Sequence, residues 1–320
     1  MIDKKDAASA TEQQLINKYG SAIFDHPPSI TRSRLERKLA RRDALDQHFT
    51  KAWVDFANAT VRPQKLDQRT RFLVQIGQFT VTKSHSHLED VLHGAISAGV
   101  APREALEVIL HCHIYGGDTV LEPALVIFTR VAEELGVLAQ LREGQLPLDG
   151  HDSERSFEAE RKTWPPGVED DPRREDFMRR HGWMGINVGI KYRGKHHLDM
   201  LHYRDAIDPT YAGIWLKFAY QNVYNRGVLD DKTRMLCTSG DCIALGEAIQ
   251  AREHMVEAMV FGASAGEVLE IILMSALNFG FPRMGSSLRV FVGIMAEQGR
   301  LAEIGDPPFD PQARAAAAKK

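Results

Sequence analysis

The chain contains two copies of one pattern. Leu66-Asp67-Gln68-Arg69-Thr70-Arg71-Phe72-Leu73 returns 163 residues later as Leu229-Asp230-Asp231-Lys232-Thr233-Arg234-Met235-Leu236. The register then holds without a gap to Gly136/Gly299, with 18 identities in 71 aligned positions. Upstream the offset becomes 162, and Arg42-Asp43-Ala44-Leu45-Asp46 matches Arg204-Asp205-Ala206-Ile207-Asp208. A unit this long exceeds the ~20–45 residues of a solenoid repeat and has the size of a domain. The sequence therefore predicts one domain over 12–136 and a homologous one over 174–299. A polar connector at 137–173 carries Pro147, Pro165, Pro166 and Pro172, and a tail follows at 300–320.

Within each copy the apolar period is helical. Leu45, Phe49, Trp53 and Phe56 recur at steps of three and four, as do Ile207, Tyr211, Trp215 and Phe218. Asp67 and Asp230 suit helix N-caps. Gly99 and Gly262 suit left-handed helix stops. Pro102 fits a first helical turn, and its counterpart Ser264-Ala265-Gly266-Glu267 reads as a capping box. No run alternates long enough to predict a sheet, so the fold class is all-α, two helical domains in tandem.

Composition narrows the function. Forty basic against 43 acidic residues give a net charge of −3, without the basic excess of a nucleic-acid binder. The apolar stretch Ile271 to Phe281 is too short for a membrane helix. The start, Met-Ile-Asp-Lys-Lys-Asp, lacks a signal-peptide core. Three cysteines, Cys112, Cys237 and Cys242, build no disulfide framework. These features predict a cytoplasmic protein with neither nucleic-acid nor membrane partners.

Leu-Asp-x-[Arg/Lys]-Thr-Arg, then a polar helix ending in Gly, then Glu-x-Leu-Glu-x-Ile-Leu and a short break before a last helix resembles the carboxymuconolactone decarboxylase family. That family includes the alkyl hydroperoxidase D branch. The resemblance implies small helical subunits assembling as trimers or hexamers, so a tandem chain is expected to form a homo-oligomer, three chains resembling a hexamer. It also implies a place in aromatic catabolism.

The peroxidase branch carries Cys-x-x-Cys and, four residues on, a His. Here those positions hold Glu247, Gln250 and His254. Peroxidase chemistry needs an attacking thiolate and a resolving thiol, and neither is present at the motif. Instead the spacing predicts a carboxylate and an imidazole on one helix face, a pair suited to acid–base work. Glu247 and His254 are the candidate catalysts, with Gln250 beside them for substrate. In the first copy the matched residues are Ser84, His87 and Val91, so that copy is either a scaffold or holds a relocated imidazole at His87. Arg283, at the start of the last helix, is a candidate for binding a carboxylate. Arg71 and Arg234 are expected to pair with Glu107 and Glu270 respectively. The set His85, His87, His93, His111 and His113 lacks helical ligand spacing, so no metal is expected.

The decarboxylase branch implies a lyase without a cofactor, acting on a small lactone acid. The expectation is that His254 supplies a proton, Glu247 sets its tautomer and an arginine holds the acid. Hydration or isomerisation on the same pair, and a purely structural oligomer, remain the alternatives.

Overall fold

The computed structural model describes residues 10–25, 31–61, 65–143, 168, 170–305 and 307. Most of the expected linker and the end of the tail lie outside them. Every regular element among the described residues is helical. Among the described residues the helices up to the linker are α1 (Ala10–Tyr19), α2 (Ala22–Asp25), α3 (Arg32–Leu45), α4 (Gln47–Val61), α5 (Gln68–Val81), α6 (His85–Ser97), α7 (Pro102–His111), α8 (His113–Gly116) and α9 (Asp118–Glu134), and α10 (Leu138–Glu143) lies at the linker's start. After it come α11 (Pro172–His181), α12 (Trp183–Arg193), α13 (Lys195–Ile207) and α14 (Pro209–Trp215). The second copy closes with α15 (Asp231–Leu245), α16 (Ala248–Val260), α17 (Ala265–Phe279) and α18 (Phe281–Glu297).

The punctuation is local chemistry. Asp67 caps α5, accepting from Thr70 N at 2.8 Å and from the Thr70 hydroxyl at 2.8 Å. Ser264 and Glu267 form the capping box of α17. Gly99 and Gly262 stop α6 and α16 at φ +95° and +93°, a region that penalises any side chain with a Cβ.

Compactness groups these helices differently from the sequence copies. One unit joins residues 1–138 with 231–320; the other holds 139–230. In the first unit α5 packs along α15, its counterpart in the second copy. Gly77 and Gly240 occupy matched positions on these two helices. A Cβ at Gly77 would collide with Asp241, and one at Gly240 would lie 2.7 Å from Val74 Cγ1. The glycines let the two helix backbones approach closely.

The arginines cross the same contact. Arg71 pairs with Glu270, and Arg234 with Glu107 at 3.0 Å. The expected pairing within each copy is thus corrected to a reciprocal pairing between copies. The reason is that each copy's Leu-Asp-x-x-Thr-Arg helix packs on the other copy. The exchange extends to the N-terminal helices. Leu15, Phe24, Leu35, Leu39 and Val54 form a core against which Leu277 of α17 packs, and Phe56 meets Phe281 at 5.5 Å between ring centroids. The apolar stripe of α4 is only partly a core face, since Phe49 is exposed while Trp53 packs against this core.

In the second unit a π-helical stretch, Leu216–Val223, follows α14 and packs on α12. His197 of α13 is fully buried there, stacked on Trp215 at 5.9 Å and edge-on to Tyr220 at 4.5 Å. Burial, with Arg193 and Arg204 nearby, pushes its pKa down to about 3, so the ring is neutral.

Candidate active site

His254 lies in the middle of α16 and is fully buried. Its Nδ1 is 2.7 Å from Glu257 Oε2, one turn further along the same helix. Its Nε2 is 3.1 Å from the Tyr115 hydroxyl, which α8 brings in from the first copy. A carboxylate only accepts, so Nδ1 carries a proton directed at Glu257, and the ring's other nitrogen meets the Tyr115 hydroxyl. Tyr115 in turn meets His111 edge-on at 5.7 Å. His111 is 2% exposed, and burial followed by the charge of Arg234 holds its pKa well below the usual imidazole value. This is a polar chain with the buried His254 at its centre and the partly exposed Tyr115 beside it.

Glu247 is not part of it. The residue sits at the N-cap of α16, with φ −83° and ψ 84°, and its side chain is exposed. Gly246, at φ +83°, turns the chain just before it, so Glu247 precedes the first helical turn and leaves the helix stripe. The expected Glu247–His254 pairing is therefore corrected: the carboxylate on His254 is Glu257. Gln250 is half-buried on α16. Arg283 donates through Nη1 to the Ala244 carbonyl at the end of α15, and its guanidinium lies 5.9 Å from the Phe279 ring. It caps a helix rather than facing outward.

The three cysteines are buried, as their placement in apolar helices predicts. Burial raises the Cys112 thiol well above its ordinary pKa, and the neighbouring Asp241 and Cys237 raise it further. Such a thiol is a poor nucleophile. Of the other histidines, His93 pairs with Glu134 at 2.9 Å and His113 with Asp118 at 3.1 Å. Among the described residues no three His, Cys, Asp or Glu side chains gather as a metal site.

His87 has a different setting. It opens onto a cavity of about 80 Å³. Leu35, Lys38 and Arg42 of α3 and Trp53 of α4 form one side, and Phe79, Leu277 and Asn278 complete the wall. The His87 ring lies 5.3 Å from that of Phe79 and remains exposed on one side. Partial burial lowers its pKa, Lys38 and Arg42 lower it too, and Asp90 opposes them. The cavity thus combines a neutral imidazole with two cations. A second, larger cavity of about 350 Å³ is mostly apolar, lined by Phe56, Leu269, Leu273, Phe281 and Met284. Its buried carboxylate, Glu270, is occupied by Arg71 and by the amides of Lys65 and Leu66.

Sequence reading missed Glu257, Tyr115, Arg42 and Asn278. Glu257 had a signal, since it follows His254 by one helical turn. The other three reach their sites from distant segments, and no spacing announces them.

The carboxymuconolactone decarboxylase family model matches the chain twice, at residues 47–130 and 209–292. The chain belongs to this family. It is a tandem member, with the family domain present in both halves. It is 29% identical over 104 residues to an uncharacterized 15.0 kDa protein of the nqo9–nqo10 intergenic region of Paracoccus denitrificans, a match covering 32% of this chain and 77% of that protein. Among solved structures, a Burkholderia xenovorans LB400 chain proposed to be a gamma-carboxymuconolactone decarboxylase subunit aligns over 92% of this chain and 99% of its own. The identity there is 18% and the TM-score 0.48. Among the described residues no helix is long and apolar enough to cross a membrane.

Proposed function

We propose that this family member is an acid–base enzyme acting on a small carboxylated substrate, a carboxy-lyase of the kind the family is named for, with His87 as the group that moves the proton. One observation carries the reading: His87 shares an open cavity with Lys38 and Arg42, whereas His254 is sealed. In decarboxylation the bond from carbon to carboxyl breaks and its electron pair stays on carbon. A conjugated carbonyl of the substrate takes up that charge. The imidazolium then gives its proton to the carbon and regains one from water. Partial burial, and then the charges of Lys38 and Arg42, lower the pKa of the His87 ring. A bound anion offsets their charge and raises the imidazole toward the protonated form that such a step needs. In this reading the Glu247/His254 role passes to His87, and His254 with Glu257 and Tyr115 orders the helices around the site.

The lowered His87 pKa also favours a second reading, in which the neutral ring removes a proton and the reaction is an isomerisation or hydration of an unsaturated acid. Assay of lactone acids and unsaturated acids separates the two. Carbon dioxide release supports the lyase, and an absorbance change without gas supports the other. In either case His87→Ala is expected to lower turnover by roughly 10²-fold or more. Undiminished turnover in a folded His87→Ala protein rejects the site.

A further inference from the structure

Two polar groups in the His87 cavity have no ion pair or hydrogen-bond acceptor among the described residues. Arg42 is half-buried with its guanidinium 4.1 Å from the Trp53 ring centroid. Neighbouring cations have carboxylates: Arg34 holds Glu89 and Asp90, and Lys38 holds Asp90. Arg42 has no such ion pair among the described residues, and burial lowers its pKa without compensation. The second group is Asn278. Its Nδ2 is shielded from solvent and has no hydrogen-bond acceptor among the described residues. A buried donor left unmade is costly and rare in a native structure. Both groups line the same cavity.

We infer that Arg42 and Asn278 form the receptor for the carboxylate of a small monocarboxylic acid, held beside His87. A carboxylate has two oxygens, so it can accept from a guanidinium and from a side-chain amide at once. Stacking on Trp53 fixes the plane of the guanidinium, so less freedom is lost when the acid binds. The cradle takes Arg42 and His87 from the first copy and Asn278 from the second, and the duplication does not build it a second time. The stacked pair recurs as Arg204 over Trp215 at 4.3 Å. But the positions matching Lys38, His87 and Asn278 hold Met200, Gln250 and Tyr115. The inference rests on the site proposed above and adds the group that the site selects.

Calorimetric titration of the full chain with benzoate tests it, with benzamide as the uncharged control and inorganic phosphate as the competing anion. Benzoate is expected to bind saturably, and benzamide and phosphate at least tenfold more weakly. Arg42→Gln and Asn278→Leu should each weaken benzoate at least tenfold, and Asn278→Asp should abolish binding by placing a like charge against it. Arg42→Lys keeps a cation and should retain more affinity than Arg42→Gln. Thermal melts establish that each variant is folded. His87→Ala should bind benzoate within about threefold of the parent even where turnover is lost, so failure of the proton-transfer reading does not touch this one. The inference is overturned if benzoate does not saturate, if benzamide or phosphate binds as well, or if folded Arg42→Gln and Asn278→Leu proteins keep the parental affinity.

Discussion

Arg234 and Glu107 lie 3.0 Å apart, each 1% exposed, although they belong to different copies of the duplicated sequence. Arg71 and Glu270 repeat the arrangement in the opposite sense. A buried ion pair adds little net stability over an apolar pair, because both charges are desolvated. Its loss on one side is another matter. Glu107→Gln leaves the Arg234 charge buried without its carboxylate and should cost about 3–5 kcal/mol. The double variant Arg234→Met with Glu107→Leu should cost much less. Urea denaturation of the three proteins checks the non-additivity, and an equal loss in single and double variants would refute it.

The matched glycines offer a second test of the same contact. A methyl at position 240 would lie 2.7 Å from Val74 Cγ1, closer than packed side chains tolerate. Gly240→Ala should therefore destabilise by about 1–3 kcal/mol, even though alanine favours an isolated helix over glycine. Gly77→Ala should behave likewise, because Asp241 stands in the way. A rise in melting temperature for either variant would show that the α5–α15 approach is looser than described.

Much of the fold was legible because helix signals are local. The capping box at Ser264 and the stops at Gly99 and Gly262 depend on neighbours within one turn, and each sits where its residues predict. The exchange between copies was not legible. Arg71 matches Arg234 and Glu107 matches Glu270, so pairing within a copy and pairing across copies produce the same sequence pattern. The site suffered from a related ambiguity. Helical spacing puts Glu247 and His254 on one face only if the helix already includes residue 247, and the turn at Gly246 delays its start. His87, by contrast, was marked by falling one turn before the family's histidine position. What sequence could not supply was its company, since Arg42 and Asn278 are 236 positions apart.

Asp241 gives a pH dependence with a definite sign. It is fully buried beside Cys112, and burial raises its pKa well above the ordinary carboxylate value, against the opposing hydrogen bond from the thiol. The folded protein therefore binds this proton more tightly than the unfolded chain does. Its contribution to stability is complete below the unfolded pKa and is lost as pH rises toward the folded one, at roughly 1.4 kcal/mol per pH unit. Asp241→Asn keeps the shape and removes the titration. Its stability relative to the parent should rise steadily with pH from about pH 4, close to the reference value of ~3.9 for a free aspartate. Melting curves of both proteins from acid to neutral pH measure the difference, and a flat difference would mean Asp241 does not titrate as a buried acid.

His87 provides the last test, one that reads the site without knowledge of the substrate. Partial burial and the cations Lys38 and Arg42 lower its pKa, while Asp90 raises it. Lys38 also neutralises Asp90 by direct pairing. Lys38→Met removes a repelling charge and leaves Asp90 paired with Arg34 alone, so both effects move the imidazole upward. Arg42→Gln removes a second repelling charge and should move it the same way by less, since Arg42 is the weaker of the two influences. Following the His87 ring resonances through a pH titration gives the order directly: parent lowest, then Arg42→Gln, then Lys38→Met. A benzoate-saturated parent should titrate above the free protein, because the anion stands where the two cations act. If none of these changes moves the His87 midpoint, the ring does not face the charges that line this cavity, and the proton-transfer role assigned to it loses its basis.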